Sequence, residues 1–148
     1  MRCCAFLCAL VWLTPVLATG QTAPAAGRIK VATGTASVVR GGQAAAAVLG
    51  AEIVEGDILR TGADGRLSAM LRDESRVSLG PNSELALTRF AYAPADAQLS
   101  LGLRLVRGVL SYVSGLIAKL APEAVRLQTP TSIIGVRGTH VLVRAEAP

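Results

Sequence analysis

Aromatic side chains make up only 3% of the 148 residues, histidine occurs once, as His140, and cysteine three times, as Cys3, Cys4 and Cys8. Each scarcity removes a class of chemistry. The cysteines all lie within one apolar run near the start, so the remainder has no thiol for a disulfide, a metal or a nucleophile. One histidine cannot supply paired metal-ligand spacing, and no glycine-rich phosphate loop is present. A nucleic-acid surface wants a basic cluster interleaved with aromatics, yet only Phe90, Tyr92 and Tyr112 follow that run. The expectation is a non-enzymatic protein with no catalytic residues, no cofactor, no metal and no nucleic-acid partner.

The one long hydrophobic stretch is too short to serve as a membrane span. Arg2 precedes an apolar run from Cys3 to Leu13, and Thr14 and Pro15 interrupt it before the roughly 18 residues a span needs. Small residues and a polar Gln21-Thr22 pair follow, in the order of a secretory signal peptide. Residues 1–20 are therefore expected to be a cleaved signal, with processing after Ala18 or Gly20. Residues 21–27 form a short linker and 28–146 one domain, placed in the periplasm or secreted with no membrane span after cleavage. The cysteines sit in the first half of the run and not at its end, which argues against a lipid anchor. Without Arg2, fourteen basic residues face ten acidic ones, a net +4 spread over a mixed surface.

What remains reads as short alternating runs broken by turn residues, with no helical period of normal length. A first run spans Ile29 to Val39 and is broken at Gly34; after Gly41-Gly42 the alanine-rich stretch is a loop or a weak edge strand. Asp57 to Arg60 and Leu67 to Leu71 are strands either side of a Thr-Gly-Ala-Asp-Gly turn. Val77 and Leu79 return from a hairpin tip at Asp73-Glu74-Ser75, and Gly80-Pro81-Asn82-Ser83 turns the chain into Leu85 and Leu87. Leu99, Leu101, Leu103 and Leu105 alternate cleanly, then the pattern changes face near Val106, which predicts a bulge or bend at Gly108. Ser114 to Pro122 suits one helical turn, and Val125 with Leu127 a short strand. The class is all-β: a compact sandwich, jelly roll or short solenoid-like barrel, with Leu101, Leu103, Leu127 and Val141 in one core.

The stretch from Val54 to Leu87, VEGDILRTGADGRLSAMLRDESRVSLGPNSELAL, followed by LVRGVL, a Thr-Pro pair and GVRGTHVLV, resembles a FecR domain. The marks are Gly56-Asp57 with Thr61-Gly62, Pro81-Asn82-Ser83, Gly108, Thr129-Pro130 and Arg137-Gly138-Thr139. The hairpin tip departs from the family, which usually has Asp-Gly-Ser where this chain has Asp73-Glu74-Ser75. Glu74 reaches positive φ less cheaply than glycine, so a type I turn or a remodelled tip is expected. The best-known members are periplasmic parts of transmembrane regulators that relay a signal from an outer-membrane receptor to a sigma factor. The resemblance implies the fold, the envelope compartment and another envelope protein as partner.

Two residue groups invite a functional reading. Asp57, Asp73 and Glu84 resemble an acid-base set, but carboxylates at strand ends and turns more simply bond backbone N–H groups. Arg137, between Gly135 and Gly138, reads as a buried clamp whose partner is Asp57 or Asp73, because a charge at the mouth of an apolar strand is costly to bury unpaired. The alternative places Arg137 and Asn82 on a surface that binds a small ligand or glycan.

Overall fold

The computed structural model describes residues 23–147, so the signal-peptide expectation and the three cysteines lie outside the described residues. Twelve strands follow in order: β1 (Ala25–Thr33), β2 (Ala36–Arg40), β3 (Gln43–Ala46), β4 (Glu52–Val54), β5 (Ile58–Thr61), β6 (Arg66–Leu71), β7 (Arg76–Leu79), β8 (Glu84–Ala93), β9 (Gln98–Val113), β10 (Val125–Gln128), β11 (Ile133–Gly135) and β12 (His140–Ala145). One short helix, α1 (Leu116–Leu120), separates β9 from β10. The sheet curls into an all-β half-barrel, antiparallel except where β10 runs parallel to β9.

Alternation produces these strands and tells each side chain which way to face. In β6, Leu67, Ala69 and Leu71 are buried while Arg66, Ser68 and Met70 are not. The strands run β3-β2-β5-β8-β9-β7-β6-β1-β4, with β10, β11 and β12 attached beyond this path. The central member is β9. Its first half lies between β8 and β10, its second half between β7 and β12.

The bend expected near Gly108 is what folds the sheet over. Glu84 pairs with Arg107 and Leu85 with Leu105, so Val106 is an extra residue on β9. Inward positions consequently shift from odd (Leu101, Leu103, Leu105) to even (Leu110, Tyr112), all fully buried. The two halves of the sheet thereby face one another across a core that also takes Ile29, Leu67, Val77, Leu85, Ile117 and Leu127. Of the four residues expected to share that core, Leu101, Leu103 and Leu127 are buried, while Val141 is only half-buried and Val143 takes the inner place on β12.

Three local features settle what the sequence left open or placed otherwise. β1 starts at Ala25, and Ala26 and Gly27 are buried against β4 and β6, so the expected linker 21–27 runs into the first strand. The alanine-rich stretch is an edge strand, β3, paired only with β2. The β6–β7 hairpin has a three-residue loop, Arg72 to Glu74, closed by Glu74 N–H to the Leu71 carbonyl and by Leu71 N–H to the Ser75 carbonyl. Glu74 itself stands at φ 67°, the left-handed position that follows the turn in such loops. The glutamate thus accepts a position that glycine would take more cheaply, because the flanking ladder fixes where the loop must close.

Candidate functional site

The motif residues gather into three buried nodes and one open cleft. The first node is the corner where the two halves of the sheet meet. Gly108 has φ 91°, and a Cβ on it would overlap the backbone and side chain of Ser83. The Ser83 hydroxyl accepts from Val109 N–H at 2.9 Å, and its N–H donates to the Thr61 hydroxyl at 2.9 Å. Thr61 in turn donates to the Gly80 carbonyl at 2.7 Å, and Asn82 N–H donates to the Gly62 carbonyl at 3.0 Å. Pro81 and Asn82 form the exposed tip of this turn, Asn82 with φ 51°.

The second node holds Asp57. Its side chain is 0% exposed and accepts from Arg40 Nε at 2.7 Å and Nη2 at 2.6 Å, a bidentate fork, and from Val54 N–H at 2.9 Å. Gly56, at φ 92°, lets the chain turn into β5 while its N–H donates to the Leu87 carbonyl. The hydrogen bond to Asp57 holds the Arg40 guanidinium above even its ordinary high range. Arg40 was not legible as the partner, because it lies seventeen residues upstream at the end of another strand.

The third node surrounds Asp73, also 0% exposed. Its carboxylate accepts from the Ser75 N–H at 3.1 Å, from the Ser75 hydroxyl at 2.6 Å and from Ile117 N–H at 3.4 Å, while its main-chain carbonyl accepts from Leu116 N–H at 2.7 Å. The Tyr112 hydroxyl lies 3.3 Å from that of Ser75. Burial pushes the Tyr112 phenol above its usual range, and the nearby Asp73 charge adds to the rise. The node ties the hairpin loop to the start of α1.

Asp57 and Asp73 thus sit in separate nodes, and Glu84 lies elsewhere, 3.2 Å from Arg60 and 3.9 Å from Arg107. The structure does not assemble the acid-base set. A nucleophile-like contact does occur between the Ser111 hydroxyl and His140 Nε2 at 2.8 Å, on the open outer face of the sheet. Among the described residues no carboxylate hydrogen-bonds His140, and no group of three metal-ligating side chains forms.

The buried clamp expected at Arg137 is absent. Arg40 occupies Asp57, neutral donors occupy Asp73, and Arg137 is exposed, with no ion pair or hydrogen bond among the described residues. The glycines beside it do not serve close packing either, since a Cβ on Gly135 or Gly138 would meet nothing within 4 Å. Gly138 instead takes φ 126° as the chain crosses back from β11 to β12. That crossing is latched by Ser114, whose hydroxyl donates to the Gly138 carbonyl at 2.6 Å and whose N–H donates to the Thr139 carbonyl at 2.9 Å. Val136 is buried in the core next to Arg137, which is thereby turned outward. Upstream, Thr129 and Ser132 close the Thr129-Pro130 turn through reciprocal hydrogen bonds.

Arg137 lines a cleft of about 740 Å³ between β11 and the segment after α1, together with Arg126, Glu123, Ile133 and Ile134. Ile133 is 71% exposed there, and β11 pairs only with β10, so its other edge is open among the described residues. Asn82 does not line this cleft. Two of the scarce aromatics, Phe90 and Tyr92, share a different cleft of about 370 Å³ with Glu55, Arg72 and Gln98.

Among the described residues no helix is long and apolar enough to cross a membrane. No curated protein and no solved structure matches the chain. The FecR protein family does match, over residues 57–148, from the buried carboxylate of the second node through the corner, the hairpin and the final crossing. That span is well over half the chain and contains the nodes described above, apart from Arg40, Val54 and Gly56; the chain belongs to the FecR family.

Proposed function

We propose that this chain is an exported, non-enzymatic accessory module of the cell envelope, in the periplasm or secreted, which docks another envelope protein in a signalling or scaffolding role. One observation carries the reading. The motif residues with chemical potential, Asp57, Asp73 and Ser83, turn inward and are consumed by the framework, whereas Arg137 of the same motif set turns outward beside an open strand edge. An open edge offers main-chain groups to an extended segment, and Ile133 with Arg137 adds an apolar and a charged contact for its side chains. Pull-down from envelope extract with the wild type, Ile133→Asp and Arg137→Glu tests it. A specific partner retained by the wild type and lost from both variants supports the docking cleft; no specific partner for the wild type counts against it. Arg137→Lys and Arg137→Met should both unfold within about 0.5 kcal/mol of the wild type, as exposed substitutions do.

The small-ligand or glycan alternative draws its support from Phe90 and Tyr92, since sugar rings stack on aromatic faces and Gln98, Glu55 and Arg72 surround them with polar groups. Screening peptidoglycan fragments and oligosaccharides against wild type and Tyr92→Ala separates this reading from the first. Only this reading predicts binding that Tyr92→Ala abolishes.

A further inference from the structure

The scattered cations of the sequence are gathered by the fold. On the layer formed by β4, β1, β6, β7, β9 and β12, cross-strand register places Arg28, Met70, Arg76, Val113 and His140 in one outward row. The next row carries Ser68, Ser78, Ser111 and Leu142, and the one beyond it Arg66, Val109 and Arg144. The register shift after Ile29 leaves Lys30 and Val31 both exposed on the same layer. Five cations, Arg28, Lys30, Arg66, Arg76 and Arg144, therefore share a face with a single strand-borne acid, Glu52, which is paired with Arg28 at 2.9 Å on the outer edge.

We propose that this outer face is a docking surface for an anionic lipid bilayer. Positive charge facing outward over about 20 Å of sheet, at the spacing of neighbouring strands, complements a surface that is negative everywhere. Leu142, 70% exposed, and Val31, 48% exposed, stand among the cations. An acidic protein would have to match each cation and each apolar tip individually. A bilayer interface supplies headgroup charge to the first and an acyl boundary to the second without any register. The serine row adds hydroxyl donors suited to phosphate oxygens. On the opposite layer Glu84 engages both Arg60 and Arg107, while Arg89, Arg104 and Arg126 stand exposed, and variants on the two layers decide between them. This surface is separate from the β11 cleft, so either reading survives the failure of the other.

Vesicle flotation tests the proposal with the chain from Gln21 onward, which holds every strand and core residue described above. The probes are phosphatidylcholine vesicles with and without about one third phosphatidylglycerol, and poly-L-glutamate as a lipid-free polyanion. The expected result is binding to the anionic vesicles only, lost at about 0.5 M salt, where screening shortens to a few ångströms. Arg66→Glu with Arg76→Glu should weaken it at least about tenfold, and Leu142→Ser should weaken it by a smaller factor. Arg89→Glu with Arg104→Glu, on the opposite layer, should leave it within about threefold. Equal losses from the two double variants, no binding to anionic vesicles, or binding to poly-L-glutamate alone would each overturn the assignment. Circular dichroism confirms folding, and the milder Arg66→Gln with Arg76→Gln replaces the reversal if that variant misfolds.

Discussion

Ser83 occupies the space that a side chain on Gly108 would need, and its hydroxyl holds the N–H of the very next residue, Val109, at 2.9 Å. One backbone position thus sets both the bend of β9 and the closing of the two halves of the sheet. Gly108→Ala adds a left-handed strain of about 1 to 3 kcal/mol to an overlap with backbone that cannot swing away. A loss of about 3 kcal/mol or more is expected, seen as a melting temperature lower by on the order of 10 °C. An unchanged melting temperature would show that the corner relaxes freely.

The Arg40–Asp57 pair is asymmetric, since the carboxylate is 0% exposed and the arginine side chain 52%. Asp57→Ala strands the Val54 N–H as well as Arg40 and should cost about 3 kcal/mol. Arg40→Ala leaves the buried Asp57 carboxylate with only the Val54 N–H and should cost at least as much, about 3 kcal/mol. If the two act as one unit, the double variant in a denaturant titration will be clearly more stable than the sum of the single losses predicts. Simple additivity would mean that the fork contributes nothing.

Relief of strain is available at the hairpin loop. Glu74 sits at φ 67°, where an L-residue is disfavoured by about 1 to 2 kcal/mol, while glycine costs about 0.5 to 1 kcal/mol more in chain entropy. Glu74→Gly should therefore stabilise by about 0.5 to 1 kcal/mol, with Glu74→Asn between the two. A destabilised glycine variant would indicate that the Glu74 side chain makes a compensating contact.

Tyr112 gives the protein an alkaline limit. Its phenol ionises at higher pH in the folded state than in the unfolded one, so above pH about 10 the unfolded chain loses this proton first. The contribution is fully present below the unfolded pKa and is lost as pH rises through it towards the folded value. Tyr112→Phe should flatten this decline between wild-type and variant stabilities measured from neutral to strongly alkaline pH. It should also cost about 1 kcal/mol near neutrality, from the contact with Ser75. Parallel pH profiles for the two proteins would remove Tyr112 from the account.

Strand existence was legible wherever neighbouring residues carry the signal. The leucines of β9 announce their own facing, and the change of face near Val106 marks the bend. Asp57, Ser83 and Gly108 could be singled out by motif, but which residues they pair with could not. Arg40, Thr61 and Val109 reach them across the sheet, and a register set by twelve strands leaves no local trace. Arg137 shows the converse: its flanking glycines suggested tight packing, while Val136 beside it takes the buried place and the latch falls to Ser114. The basic outer face was hidden for the same reason, since Arg28, Arg66, Arg76 and Arg144 become neighbours only once four separate strands are aligned.

Because β9 is the shared partner of β7, β8, β10 and β12, it governs the order in which the molecule can assemble. Local hairpins such as β6–β7 can close early, but β10 and β12 have no antecedent in the sheet until residues 98–113 are in place. Loop closure over such separations favours slow folding through a transition state in which β9 is already docked. Leu103→Ala should then slow refolding, whereas Val38→Ala on the peripheral β2 should mainly speed unfolding. A chain emerging N-terminus first during synthesis would spend that interval with the edges of β7 and β8 unpaired, the window in which a chaperone or an aggregate would compete for them.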